Sequence, residues 1–206
     1  MDSQFAIIPA ALGMMLGPQI LSSVFLATSA KPRPNSAAYV VGVFAGATVG
    51  MLVAYFLATL WEEVTDEASP GSDLLVWLMV ALLVFLIIRT FRGRKTAETP
   101  AWMTKLQTAE PKMSIRLGLL LMAFMPANII IMAAAGTYLV DNDYAFVQSF
   151  WLIGTATLLA ALPILALVLF GERADRALPG IREWMDRNSW LISIVVYVFF
   201  IFALLS

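Results

Sequence analysis

Long apolar runs alternate with short polar segments along the whole chain, and most runs have the length of a transmembrane helix. A helix that crosses the hydrocarbon core of a bilayer needs about 20 mostly apolar residues. Six runs meet or approach this length: Phe5–Ser29, Ala37–Trp61, Leu74–Ile88, Leu117–Val140, Tyr144–Phe170 and Ser189–Leu205. We expect the third helix to extend through Phe91, with Arg89 reaching toward the headgroups. The pattern predicts an all-α integral membrane protein with six transmembrane helices.

The composition supports a membrane protein and narrows its chemistry. Hydrophobic residues make up 61% of the chain, whereas soluble domains contain about 45–50%. The chain has no cysteine and no histidine, which removes disulfides, thiol chemistry, haem and most zinc or copper sites from consideration. It also has no phosphate-binding glycine motif. We therefore expect no metal, no cofactor and no nucleic-acid partner.

The charges are divided between alternate loops. All 13 basic residues lie in three segments between the predicted helices: Lys31 and Arg33; Arg89, Arg92, Arg94, Lys95, Lys105, Lys112 and Arg116; and Arg173, Arg176, Arg182 and Arg187. The charged residues of the second and fourth loops are all acidic. Basic residues stay on the cytoplasmic side of a membrane. The distribution predicts that loops 1, 3 and 5 are cytoplasmic and that both termini lie outside the cell membrane.

The two halves of the chain resemble each other at an offset of 108 positions, which aligns Pro18 with Pro126 and Gly46 with Gly154. We predict a first three-helix repeat over residues 1–92, a basic cytoplasmic linker over 93–115, and a second repeat over 116–206. Because each repeat has an odd number of helices, the second enters the membrane from the opposite side. Inverted repeats of this kind are typical of transporters, whose sites lie near the midplane between the halves.

Two stretches, "LGPQI" at 16–20 and "MPANI" at 125–129, place a proline and then an amide side chain inside an apolar run. Proline removes an N–H donor and leaves the carbonyl four residues earlier, that of Met14 or Met122, without its helical partner. We predict that the prolines break the first helix of each repeat and that these breaks form a substrate site. Its candidate residues are Gly17, Pro18, Gln19, Ser22, Pro126 and Asn128. A structural alternative stays open, because polar groups near a kink can simply satisfy the freed backbone.

Glycines at every fourth position indicate close helix packing in the second predicted helix. Gly42, Gly46 and Gly50 lie on one face of a helix and let a neighbouring backbone approach. Gly154 occupies the aligned position in the second half. The spacing does not decide whether the contact lies within one chain or between two copies in a homodimer.

The predicted helices have no charged residue near their centres. Proton-coupled carriers and sites for small, strongly charged substrates usually need such residues, so lipid handling is favoured. Ser22 and Ser23 have no general base at their depth, and we expect no enzymatic activity. The segment 172–188 alternates charged and apolar residues and predicts an interfacial helix, with Pro179 as a point where it can break.

Four stretches resemble the LysE superfamily of exporters and, within it, the GAP family of peptidoglycolipid addressing proteins. They are residues 11–50, the basic linker, residues 116–139 and residues 169–188, and together they cover nearly the whole chain. In the family the element at the second break reads Asn-Pro-Lys-Asn or similar, so Pro126 and Asn128 match it and Ala127 replaces the lysine. The resemblance implies a six-helix transporter fold and export of a lipid or other small molecule to the cell surface.

These observations leave three functional hypotheses. In the first, the chain exports or addresses a lipid or amphiphile and contacts both the bilayer and that substrate. In the second, it is a membrane scaffold or accessory subunit of a lipid synthase or another transporter. In the third, it exports a small polar metabolite. The first agrees best with the resemblance and with the neutral membrane interior.

Overall fold

The computed structural model describes residues 4–15, 18–64, 73–93 and 105–188, together with residues 190, 191, 194, 195, 198 and 201. The α-helices are α1 (Gln4–Met15), α2 (Pro18–Ala27), α3 (Pro32–Val64), α4 (Asp73–Gly93), α5 (Pro111–Phe124), α6 (Pro126–Asp141), α7 (Phe150–Phe170) and α8 (Glu172–Arg187). Two 3₁₀ turns cover Lys105–Thr108 and Phe146–Ser149. The all-α prediction is confirmed for the described residues, which contain no strand.

The first and fourth predicted runs are each divided into two helices at their proline. In the first run α1 ends at Met15 and α2 begins at Pro18. In the fourth run only Met125 separates α5 from α6, and the two helices bend by 60°. Met125 has extended backbone angles (φ −67°, ψ 128°), because the ring of the following proline disfavours the helical conformation. α5 begins at Pro111, inside the segment predicted as linker.

Two described helical segments are long and apolar enough to cross a membrane. They are Pro32–Leu60 within α3 and Phe146–Phe170, which joins the second 3₁₀ turn to α7. The bent pair α5–α6 provides a third candidate if it forms one span. The prediction that the third helix extends through Phe91 is confirmed, since α4 ends at Gly93. The sixth run, Ser189–Leu205, lies mostly outside the described residues, and six spans remain a prediction.

α3 is at the centre of the packing and contacts α2, α5, α6 and α7. A buried row with four-residue spacing, Tyr39, Val43, Ala47 and Met51, faces these neighbours and is fully inaccessible to solvent. Large apolar side chains such as Val53 and Phe56 lie on the outer surface of the same helix. α1 and α2 pack against α7. The first broken run therefore lies beside α7 and α3, and the second lies beside α3.

α8 follows α7 after a single residue, Gly171, whose φ of +48° is a conformation that glycine adopts readily. Ala174, Leu178 and Met185 of α8 are buried against the protein. Pro179 lies inside the helix without breaking it. The proline removes one backbone hydrogen bond, that to the carbonyl of Asp175, and Asp175 is exposed. Water can therefore solvate the freed carbonyl.

Candidate functional site: two proline breaks that contact one central helix

Asn128 lies two residues after the second break and is completely buried. Its Nδ2 donates hydrogen bonds to the carbonyl oxygens of Leu121 and Met122, both at 3.2 Å, and lies 3.1 Å from the Met122 sulfur. The Met122 carbonyl is the group that Pro126 deprives of its helical partner. Asn128 thus replaces the missing backbone donor and holds the end of α5 against the start of α6.

Gln19 lies one residue after the first break and is 2% exposed. Its backbone carbonyl accepts a hydrogen bond of 2.8 Å from the hydroxyl of Tyr39 on α3. Ser22 donates to the carbonyl of Pro18 at 2.6 Å, a bond within the first turn of α2. These bonds stabilise the start of α2 and attach it to the central helix. Gly17 lies outside the described residues.

At both breaks the side-chain oxygen of the buried amide, Gln19 Oε1 or Asn128 Oδ1, has no donor in the described part of the chain and is inaccessible to solvent. Three buried atoms away from the breaks are in the same state: Asn35 Oδ1, Ser36 Oγ and Ser149 Oγ. A buried acceptor that is left unpaired costs about 1–3 kcal/mol. Such an atom commonly bonds to water or to a ligand in the functioning protein. The two oxygens are therefore acceptors at the breaks that water or a ligand with O–H or N–H donors can satisfy.

The two breaks contact the same helix at different levels. Gln19 bonds to Tyr39, whereas Met122, which accepts from Asn128, packs against Gly46. Seven positions of α3 separate Tyr39 from Gly46, which corresponds to roughly 10 Å along the helix axis. No hydrogen bond joins the two amides directly within the described residues. The predicted site residues therefore contact α3 at two levels without forming one contiguous set.

The glycine stripe of α3 contacts the second half of the same chain. A Cβ on Gly42 would overlap the carbonyl oxygen of Ile115, and one on Gly46 would lie 2.7 Å from that of Leu119. A Cβ on Gly50 would lie 2.5 Å from the Met132 sulfur. Gly42 and Gly46 therefore let α5 approach α3 at backbone distance, whereas Gly50 leaves room for the Met132 side chain of α6. For Gly154, in contrast, a Cβ would meet no described atom within 4 Å, and nothing described there requires a glycine.

Sequence reasoning missed the matching glycines in the second half. A Cβ on Gly118 would overlap the Tyr39 carbonyl oxygen and lie 2.9 Å from the Val43 nitrogen, and one on Gly136 would lie 2.8 Å from the Ala54 carbonyl carbon. Ser114, Gly118 and Met122 are four residues apart and all buried. This small-residue spacing was a readable signal, but only the structure pairs it with Gly42 and Gly46.

A comparison with known families matches nearly the whole chain. The family model described as "SfLAP: Sap, sulfolipid-1-addressing protein" matches residues 7–206. The chain belongs to the SfLAP family. It is therefore a membrane protein of a lipid-addressing family, which supports the resemblance to the GAP family. Membership of the wider LysE superfamily stays a prediction. No curated protein and no solved structure matches the chain.

Proposed function

We propose that this SfLAP-family chain is a cytoplasmic-membrane transporter that moves or addresses a lipid or other amphiphile to the cell surface. Family membership supports the link to lipid addressing. The broken helices support transport, because discontinuous helices near the bilayer centre are typical of transporter sites. α1 and α2 have 12 and 10 residues, or roughly 18 and 15 Å, so the first break lies close to half-depth.

The proposed architecture is six helices in two inverted repeats, with loops 1, 3 and 5 in the cytoplasm and both termini outside. The one-sided distribution of basic residues supports this orientation. The matching breaks at Pro18 and Pro126 support the repeat. Movement of one repeat against the other would slide α3 along α5 and α6 at the glycine contacts.

The observation that carries the proposal is the pair of unpartnered, buried oxygens at Gln19 Oε1 and Asn128 Oδ1. They are neutral acceptors and suit hydroxyl or amide donors in the polar part of an amphiphile. Neutral recognition also agrees with the absence of charged residues from the described segments 18–27, 36–60 and 144–170. A strongly charged substrate would be poorly stabilised there.

The hydrogen bonds of the same site favour a second candidate, an accessory role without transport. The Asn128 amide nitrogen already bonds to two backbone carbonyls, and Tyr39 bonds to the Gln19 backbone. Such bonds hold the breaks in one geometry, which suits a scaffold for a lipid synthase or another transporter. Export of a small polar metabolite is the third candidate, and its supporting feature is the polarity of the same amides.

Water access to the breaks tests the proposal, and the chain has no native cysteine to interfere. We would place single cysteines at Ile20 and Ala127, which adjoin the amides and are half-buried. Phe56→Cys, on the outer apolar surface, is the matched unreactive control, and Asn142→Cys, on an exposed turn, is the reactive control. A transporter predicts reaction of Ile20→Cys and Ala127→Cys with a membrane-impermeant thiol reagent. Reactivity no greater than that of Phe56→Cys contradicts a water-accessible site and favours the accessory role.

Lipid profiling of a deletion strain and its parent then separates the candidates. If an amphiphile disappears from the surface extract and accumulates in the cells, export is supported. If it disappears from both extracts, an accessory role in synthesis is supported. If only a small polar metabolite accumulates, the lipid proposal is wrong.

A further inference from the structure

Arg182 of α8 has surroundings unlike those of a solvated surface arginine. Its side chain is half-buried, and its guanidinium carbon lies 4.2 Å from the centre of the Phe25 ring. Its Nη1 donates to the Thr28 hydroxyl at 3.4 Å. α8 is thereby attached to the end of α2, although Arg182 and Thr28 are 154 positions apart.

The third neighbour of Arg182 is Gln107, in the 3₁₀ turn that precedes α5. With the amide oriented so that its oxygen faces the guanidinium, Gln107 accepts from Nη1 at 3.1 Å and also from Nη2. The opposite orientation would place two donors against each other. The backbone carbonyl of Gln107 accepts from the amide of Ala30 at 2.9 Å, so this turn is held beside the α2–α3 loop.

These bonds leave the Nε–Nη2 edge of Arg182 available. A guanidinium has five N–H donors, and the bonds to Thr28 and Gln107 use two on Nη1 and one on Nη2. The remaining donors, on Nε and Nη2, lie on one edge in the geometry that binds two oxygens of a carboxylate, phosphate or sulfate. No described residue accepts a hydrogen bond from that edge.

Arg182 differs from two other arginines of α8, Arg176 and Arg187, in its charge pairing. Arg176 pairs with Glu172 at 3.4 Å, and Arg187 pairs with Glu183. Among the described side chains, no carboxylate lies within ion-pair distance of Arg182. The neutral groups around it satisfy donors but do not balance its charge. A half-buried cation of this kind is stabilised by an external anion.

The position of α8 places this charge at the membrane surface. α8 follows α7, a helix long and apolar enough to cross a membrane, whose last residues, Leu169 and Phe170, are 72% and 62% exposed. Ile181 and Trp184 of α8 are also exposed. Tryptophan and an apolar face on a charged helix are typical of helices that lie in the headgroup layer. An anion that reaches Arg182 in this layer is most readily supplied by a lipid headgroup.

We propose that the free edge of Arg182 binds the sulfate or phosphate group of an anionic membrane lipid. Phe25, Thr28 and Gln107 orient the guanidinium, and Ile181 and Trp184 hold α8 in the layer where the headgroup lies. This inference goes beyond the proposed function, because it holds whether the chain transports that lipid or only associates with it. It also places lipid contact on the loop side of the protein, away from the two proline breaks.

Native mass spectrometry of the purified full chain tests this site, with sulfatide, phosphatidylglycerol and phosphatidylcholine as probes. We expect retention of the two anionic lipids over phosphatidylcholine, and about a tenfold loss of that retention in Arg182→Gln. Arg173→Gln is the matched control: it removes the same charge from an exposed position of the same helix and is expected to change retention less than twofold. Equal losses in the two variants would overturn the proposal, because they would indicate a general charge effect.

Three further arms separate lipid binding from a structural role. Gln107→Ala removes the contact with the turn but keeps the cation, so retention should persist; loss as large as in Arg182→Gln would assign Arg182 to fold stability alone. Asp186→Asn should leave retention unchanged, and a rise would identify Asp186, four residues along the helix, as the counter-ion instead. Inorganic sulfate or phosphate should compete only weakly. Competition at concentrations equal to those of the lipids would overturn the assignment to a lipid.

Discussion

Asn128 donates a hydrogen bond of 3.2 Å to the carbonyl oxygen of Met122, six positions earlier in the chain. The bond spans the only residue that separates α5 from α6. It occupies the carbonyl that Pro126 leaves open, so the cost of the helix break is offset by a side chain from the helix that the proline begins. This pairing gives the freed Met122 carbonyl a hydrogen-bond donor at a 60° bend.

Replacement of Asn128 by alanine is expected to destabilise the protein by about 1–3 kcal/mol, because the buried carbonyls of Leu121 and Met122 lose their donor. The measurement is the thermal unfolding midpoint of the detergent-solubilised chain. Asn142→Ala is the control, since Asn142 makes a similar bond to the Tyr138 carbonyl at 2.9 Å on the exposed surface. Equal shifts in both variants would contradict a special role of Asn128 at the break.

Gly42→Ala is expected to lower the stability by about 1–3 kcal/mol, because the added methyl group overlaps the Ile115 backbone and forces α3 away from α5. Gly154→Ala adds the same group where no described atom lies within 4 Å. It should be neutral or slightly stabilising, since alanine favours the helix over glycine. Unfolding midpoints of the two variants, measured together, check the prediction. A Gly42→Ala midpoint equal to wild type would show that α5 can move without cost.

Tyr39→Phe removes the hydroxyl that bonds to the Gln19 carbonyl and keeps the buried ring. The expected loss is about 0.5–1.5 kcal/mol. Tyr138→Phe is the matched control because its side chain is exposed (45%). The readout is the unfolding midpoint of the two variants, measured together. A Tyr39→Phe midpoint equal to that of Tyr138→Phe would mean that this bond does not stabilise the packing of α2 against α3.

Gln19→Leu separates a ligand-binding role from a structural one. It removes a buried oxygen that has no donor among the described residues, so the unfolding midpoint should stay the same or rise. If that oxygen binds the amphiphile, surface levels of the lipid should fall at constant protein abundance. Gln148→Leu makes the same chemical change at an exposed position and should leave the surface lipid unchanged.

The double variant Gln19→Ala with Asn128→Ala tests the proposed site as a whole. Export should fall at least as far as in either single variant, measured as surface lipid relative to total lipid at equal protein abundance. Unchanged export in the double variant would remove both amides from the substrate path. The accessory function would then be the better account of the breaks.

The helix breaks could be predicted because their cause is local. Proline lacks an N–H wherever it stands, and the carbonyl it frees is always four residues earlier, so Pro18, Pro126 and Met122 were readable from the printed sequence. The glycine spacing of α3 was readable for the same reason. The identity of its partners was not, since Ile115 and Leu119 are brought to Gly42 and Gly46 by the packing of two helices about 70 positions apart.

The candidate site was likewise predicted only in part from the sequence. Sequence reasoning selected Gln19 and Asn128 as polar residues at the breaks, but it could not distinguish the nitrogen of Asn128, which bonds to the backbone, from the oxygen, which does not. It missed Tyr39, whose aromatic ring fits an apolar pattern, and Gly118. It placed Arg182 only among the basic loop residues. Its contacts with the Phe25 ring and the Gln107 amide could not be predicted, because those residues lie far from Arg182 in the chain.

By itself, the sequence determined an all-helical membrane protein, the positions of the two breaks and the division of charge between loops, all of which follow from the composition and order of neighbouring residues. Only the tertiary structure decided which groups close the breaks, which backbones meet at the glycines and which arginine retains a free edge beside an aromatic ring. Those outcomes depend on distances between residues far apart in the chain, and such distances exist only after the helices have packed.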